Sequence, residues 1–242
     1  MNSSSETNFE SLLYQINGLS IAETLRFLSE KFPAAVTFST SFSYEDQIIT
    51  HKIFSADLNV KVFTLDTGRL FPETYSVWNS TLLKYGKSIR AYYPNASLLE
   101  DFVMVKGPNS FYESVENRKS CCFIRKVEPL QRALAGNRVW ITGLRAEHSP
   151  ARQDLKILEW DEANQVIKYN PLLHWNTGEV TEYINLNNVP YNPLHDRGFV
   201  SIGCAPCTRA IRPGEDFRAG RWWWEESSKK ECGLHVHQSI TK

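Results

Sequence analysis

Long hydrophobic runs are missing from this 242-residue chain, for no apolar stretch approaches the roughly 18 residues that a membrane span requires. The opening Met-Asn-Ser-Ser-Ser-Glu-Thr-Asn also lacks a basic leader followed by an apolar segment. Both absences predict a cytoplasmic protein with no membrane partner. Nor is there an excess of either charge. With 27 Lys and Arg against 27 Asp and Glu, the formal net charge is zero, and the field of the whole molecule draws no nucleic acid. Any anion has to be caught locally. Internal repeats and low-complexity linkers are absent, and 42% hydrophobic residues suffice for one well-buried core.

Cysteine is scarce as well. Of the five, Cys121 and Cys122 are adjacent, Cys204 and Cys207 bracket a Cys-Ala-Pro-Cys turn, and Cys232 stands alone near the end. In a reducing compartment clustered cysteines are more often ligands or catalysts than disulfides. Four thiols in two tight pairs suit one metal centre, either a tetrahedral zinc or a cubane iron–sulfur cluster, because both take four converging thiolates. Cys232 is then left free to react.

What is present reads as α/β. Runs at 35–38, 60–65 and 89–93 are rich in β-branched and aromatic residues, and helical periodicity lies between them at 45–54, where Ile48, Ile49, Ile53 and Phe54 recur, and at Pro72–Tyr85. This βαβαβ progression predicts a mostly parallel sheet covered by helices. A later strand is expected at 138–142, and an antiparallel pair at 155–160 and 166–169. Ligands of open α/β sheets bind beyond the carboxyl ends of the strands. Here those ends carry Ser39, Thr40, Ser41 and Ser43, then Asp66-Thr67-Gly68, then Gly143-Leu144-Arg145. Singly these are an ordinary N-cap and two ordinary turns. Together they nominate a nucleotide crevice, with hydroxyls and backbone N–H groups at a helix start to hold an anion.

In the last third, Arg218 and Arg221 lie three apart beside a glycine, a fork suited to phosphate or sulfate oxygens. The competing account is a solvated pair with Glu215 and Asp216. The tryptophans that follow are expected to dock the tail.

At this point the chain resembles a known family. Lys119-Ser120-Cys121-Cys122-Phe123-Ile124-Arg125-Lys126-Val127-Glu128-Pro129-Leu130, the distant Cys-x-x-Cys, the Arg-Ala-Gly-Arg-Trp segment and the terminal Glu-Cys-Gly-Leu-His resemble the assimilatory, thioredoxin-dependent adenylylsulfate (APS) reductases. The resemblance runs from about residue 38 to 235. Reductases that require the 3′-phosphorylated substrate (PAPS) share the terminal motif but generally lack the two cysteine pairs.

The resemblance implies a Rossmann-like sheet of the adenine nucleotide α-hydrolase or ATP pyrophosphatase type. It implies one domain over residues 1–217, with a mobile tail over 218–242 that carries the catalytic cysteine. It implies a [4Fe–4S] cluster on Cys121, Cys122, Cys204 and Cys207, although adjacent cysteines on one helix are a strained way to ligate it and zinc is the competing metal. The implied reaction is attack of Cys232 on the sulfur of APS, expulsion of AMP, and release of sulfite by thioredoxin or glutaredoxin from an S-sulfocysteine. Lys126, Arg218 and Arg221 match the family's basic residues around the sulfate, and at helical spacing Lys126 shares a face with Cys122. The nucleotide pattern falls on Ser39, Ser41, Ser43, Leu65, Thr67, Gly143 and Arg145, with Arg152 a weaker addition. His235 stands where it would favour the Cys232 thiolate, though a terminal histidine is usually inert.

One departure stands out. The loop reads Ser-Phe-Ser-Tyr-Glu-Asp where a common family version reads Ser-Phe-Ser-Gly-Ala-Glu-Asp, one residue longer before Glu45 and Asp46. That leaves open which serine meets the phosphosulfate, and whether PAPS is also used. Asp46 is expected as a helix-start or buried polar residue. A tRNA-thiolating ATP pyrophosphatase would need a Ser-Gly-Gly-x-Asp-Ser loop and a basic surface, which this chain lacks. A zinc-binding redox sensor, with Cys232 as its sensing thiol, is the other rival. A homo-oligomer is left open.

Overall fold

A computed structural model describes residues 3–148 and 152–225. Cys232 and His235 lie outside the described residues. Six strands form one sheet: β1 (Val36–Ser39), β2 (Lys61–Leu65), β3 (Arg90–Tyr92), β4 (Val139–Ile141), β5 (Leu158–Asp161) and β6 (Val166–Tyr169). Their order is β3-β2-β1-β4-β6-β5. Every neighbouring pair is parallel except β5 with β6, which is the antiparallel pair expected at that place.

The central strands are short apolar runs because helices cover both of their faces. Val36, Phe38, Val139 and Ile141 are fully buried, as are Ile48, Ile49 and Ile53 on α3 (Tyr44–Ser55). Gln47, also buried on α3, donates to Thr81 Oγ1 at 2.8 Å and to the Pro190 carbonyl at 2.6 Å. That one amide ties α3 to α4 (Pro72–Tyr85) and to the segment after α8 (Thr177–Leu186). Helix α4 begins on proline and ends on Gly86 at φ 60°, a left-handed cap that costs glycine little.

Two helices at the amino end, α1 (Ser3–Ile16) and α2 (Ile21–Lys31), and α5 (Ala96–Lys106) complete the outer layer. The cysteine-bearing segment is a composite. Helix α6 (Val115–Cys122) passes into a π turn, Phe123–Val127, and then into α7 (Glu128–Leu134). There the Glu128 N–H reaches back five residues to the Phe123 carbonyl. A π turn widens the helix by one residue and is common beside functional sites. Spacing rules drawn for an α-helix therefore do not carry across 123–127.

The packed fold continues past the domain boundary expected after residue 217. Arg221 pairs with Thr208 in an isolated antiparallel bridge, and the Trp222 N–H donates to the Cys207 carbonyl at 3.2 Å. Residues 218–225 thus form a strap bound to the Cys204–Cys207 turn.

Candidate active site

Strand order reverses between β1 and β4, and there a cavity of about 240 Å³ opens beyond the carboxyl ends of β1, β2 and β4. The loop after β1 forms one wall. Phe42 sits at φ 61°, a left-handed conformation costing on the order of 1–3 kcal/mol for a residue with a Cβ. Burial of its ring, stacked on Trp78 at 5.5 Å, offsets that by about 1.5–3 kcal/mol. The kink drives Phe42 into the core and leaves Ser39, Ser41 and Ser43 along the cavity.

Each serine has a fixed partner. Ser39 Oγ accepts from Trp140 Nε1 at 2.9 Å. Ser41 donates to Asp46 Oδ2 through both its backbone N–H, at 2.6 Å, and its hydroxyl, at 2.7 Å. Ser43 is the N-cap of α3, accepting from the Asp46 N–H. Burial pushes the Asp46 carboxyl up to about 7, assisted by the charge of Glu45 and resisted by the hydrogen bonds from Ser41 and Ser43. Asp46 is the buried polar residue that the sequence predicted, and it also shapes the loop.

Leu65, Thr67 and Gly143 line the same cavity, as do Lys126, Arg218, Arg221 and Arg152. Arg145 does not, so its expected place at the nucleotide is not what the fold gives it. Its guanidinium is buried and turned away, donating to Glu45 Oε1 at 2.8 Å, to the Trp175 carbonyl at 3.0 Å, to Thr177 Oγ1 and to the Glu147 carboxylate. Glu45 also meets His148 Nε2 at 3.0 Å. Burial alone would raise the Glu45 carboxyl, but the hydrogen bond from His148 and the charge of Arg145 prevail and draw it down to about 2.

A second, smaller cavity adjoins the first. It is lined by all four paired cysteines together with Arg69, Arg118, Arg125 and Lys126. Cys121, Cys122, Cys204 and Cys207 thus come together although 81 residues separate the pairs. Lys126, Cys204 and Trp222 line both cavities and form the partition between them. Thr67 touches it too, with its Oγ1 3.3 Å from Cys204 Sγ. Arg221 lies beside that wall, donating weakly to Ser201 at 3.4 Å. A Cβ at Gly203 would come within 2.4 Å of its guanidinium, which would then have to shift.

The thiol chamber has a definite chemistry. Burial, then the charge of Cys204, pushes the Cys207 thiol up to about 12, and burial also raises Cys121. Without a cation Cys121 and Cys207 hold their protons. Guanidiniums supply part of the compensation: Arg118 is 1% exposed and Arg125 7%. Arg125 donates to the Thr67 carbonyl at 2.6 Å, while its buried Nε has no hydrogen-bond partner among the described residues. Among the described residues no group of three or more His, Cys, Asp or Glu is gathered tightly enough to hold one metal ion. Four thiols are arranged around a chamber rather than on a point.

Trp222, Arg125, His148 and the Arg118–Glu225 pair were not singled out by the sequence. Their local contexts are ordinary, and only the fold carries them to the two cavities. No described helix is long and apolar enough to cross a membrane.

The chain matches the family described as phosphoadenosine phosphosulfate reductase domain over residues 35–210. It is 51% identical over 201 residues, 83% of this chain and 80% of the relative, to the adenosine 5′-phosphosulfate reductase of Burkholderia cepacia. It is 46% identical over 236 residues, 98% of this chain and 94% of the relative, to the protein of the same name from Sinorhizobium fredii strain NBRC 101917 / NGR234. Among solved structures, the phosphoadenylyl-sulfate (PAPS) reductase of Candida auris, a phosphate complex, superposes with a TM-score of 0.70 at 31% identity, covering 84% of this chain and 96% of that one. The FMN adenylyltransferase of Candida glabrata in complex with FAD and inorganic pyrophosphate shares the fold, with a TM-score of 0.53 at 17% identity, over 97% of this chain and 83% of that one.

Proposed function

The chain belongs to the phosphoadenosine phosphosulfate reductase domain family, and from that premise we propose that it reduces adenosine 5′-phosphosulfate to sulfite and AMP in sulfate assimilation. The observation that carries this reading is the shared wall: a cavity at the strand ends, suited to a nucleotide, adjoins a four-thiol chamber, and Lys126, Cys204 and Trp222 line both. The curated relatives at 46–51% identity bear the name of that activity.

In this reading the serine loop and the start of α3 face the phosphosulfate, and Lys126, Arg218 and Arg221 sit where its oxygens gather charge. Cations placed in advance at such a point stabilise the developing charge without reorganising. Cys232 is the nucleophile. Its thiolate attacks sulfur, the sulfur–oxygen bond to the α-phosphate breaks, and AMP leaves with the electron pair. A thioredoxin-type dithiol then attacks the Cys232 sulfur of the S-sulfocysteine. Sulfite departs, and the second thiol resolves the mixed disulfide, so the dithiol supplies both electrons.

Cys121, Cys122, Cys204 and Cys207 would hold a [4Fe–4S] cluster. The chamber fits one in three respects: its donors are all sulfur, guanidiniums offset the net negative charge of a thiolate-ligated cluster, and Arg125 Nε has no hydrogen-bond partner among the described residues. Bound there, the cluster would supply a fixed charge behind Lys126 and no electrons. The test is sulfite release from APS and from PAPS, in parallel, by anaerobically purified protein with thioredoxin and its reductase. Turnover of APS supports the reading, and comparable rates with PAPS would add dual use. Release of sulfite from neither, by protein with full iron and sulfide, refutes it.

A further inference from the structure

His148 is 8% exposed, and both of its ring nitrogens and one ring face have partners among the described residues. Nε2 lies 3.0 Å from Glu45 Oε1, which also accepts from Arg145 Nε at 2.8 Å. Nδ1 lies 3.3 Å from Nη1 of Arg152. The ring face is covered by Phe217, nearly parallel at 16° with centroids 4.6 Å apart. A carboxylate only accepts and a guanidinium only donates. The proton must therefore be on Nε2 and the lone pair on Nδ1, which makes the imidazole neutral and its tautomer fixed. Burial also lowers the His148 pKa, in the same direction.

Both outer partners belong to the substrate cavity. Arg152 and Phe217 line it, and Phe217 is followed directly by Arg218. A single imidazole thus holds one cavity cation by its edge and the start of the strap that carries two others by its face. On the reading of the cavity as a phosphosulfate site, we infer that His148 is a positioning residue for substrate binding. It passes the rigid Arg145–Glu45 pair outward to Arg152 and holds the Phe217–Arg218 segment. Arg145 then serves the substrate through a relay without touching it.

Two substitutions separate the edge from the face. His148→Phe keeps a ring against Phe217 but loses the acceptor for Arg152. His148→Gln loses the ring, but its amide presents a donor and an acceptor one carbon apart, as the imidazole edge does. The measurements are KM and kcat for APS, and the dissociation constant of APS from tryptophan fluorescence without reductant, on wild type, both variants, Arg152→Ala and the His148→Phe/Arg152→Ala double variant. His148→Phe is expected to raise KM and the dissociation constant about tenfold, the scale of a lost hydrogen bond to a charged group, with kcat within about threefold. The double variant should be no worse than Arg152→Ala alone, because both remove one interaction. His148→Gln should recover most of the affinity. Additive losses, or a His148→Phe protein that binds APS as tightly as wild type, overturn the positioning role and leave the reductase reading standing, since wild-type turnover is read in the same series. Wild-type protein that fails to bind APS overturns both.

Discussion

Gly143 and Asp46 meet across the cavity so closely that a Cβ on Gly143 would lie 2.2 Å from Asp46 Oδ1. Gly143 is not in the left-handed region, so the glycine is demanded by space rather than by backbone conformation. Asp46 cannot yield, since Ser41 holds its other oxygen through two hydrogen bonds. Gly143→Ala should therefore displace Asp46 and the serine loop. Thermal unfolding should show a loss of about 1–3 kcal/mol, the range for overpacking, and APS binding should weaken at least tenfold. A Gly143→Ala/Asp46→Ala protein should lose less stability than the two single losses added together, because removing the Asp46 carboxylate also removes its clash with the new methyl group.

Asp46 also predicts a pH signature. Its carboxyl is raised from an ordinary 3.8 to about 7, chiefly by burial. Between those values the folded protein holds a proton that the unfolded chain has released. Stability from this group is complete below pH 3.8 and is lost as pH rises through about 7, with a slope approaching ~1.4 kcal/mol per pH unit. Asp46→Asn cannot release the proton. Urea unfolding across pH 5–8 should find the variant's stability flatter than that of wild type, and parallel curves would refute the assignment.

The four-thiol chamber makes a compositional prediction. Cys207→Ser removes one soft donor from a wall already crowded with guanidiniums, so the protein should lose iron, sulfide and the brown chromophore together, and sulfite release with them. Iron and zinc analysis of anaerobically prepared wild type and variant checks this. One zinc per chain and no sulfide in the wild type would refute the cluster, and a colourless, fully active variant would remove Cys207 from it.

The sequence carried the sheet because its strands are short runs of Val, Ile and Phe bounded by turn residues, and period and punctuation agree at β1, β2 and β4. It carried the thiol chamber because cysteine is rare enough for its pairing to stand out. It did not carry the π turn at Phe123–Val127, which obeys no residue pattern and alters the relation of Cys122 to Lys126. Lys126 still reaches both cavities, through a wider helix than the one assumed. Arg145 was misplaced for a different reason: a basic residue after a strand-end glycine looks the same whether it faces a ligand or, as here, a buried Glu45. Roles fixed by partners 100 residues away have no local signature.

The Arg118–Glu225 pair shows what such a distant partner does. Arg118 on α6 donates through Nε and Nη2 to both oxygens of Glu225, each at 2.8 Å, with side chains 1% and 5% exposed. Its guanidinium also lies 4.7 Å from the Trp222 ring and beside Cys122. The pair therefore fastens the end of the strap to the helix that bears two of the four thiols. Glu225→Ala leaves a buried cation without its carboxylate and should cost about 3–5 kcal/mol in urea unfolding. Iron content should fall in parallel, because the Trp222 wall of the chamber is loosened with it. Arg118→Met/Glu225→Leu removes both charges and should recover more than half of the lost stability, since a buried pair is costly chiefly when half of it is missing. A Glu225→Ala protein within about 1 kcal/mol of wild type would mean that water reaches Arg118 and that the strap is held by its other contacts, the Arg221–Thr208 bridge and Trp222 among them.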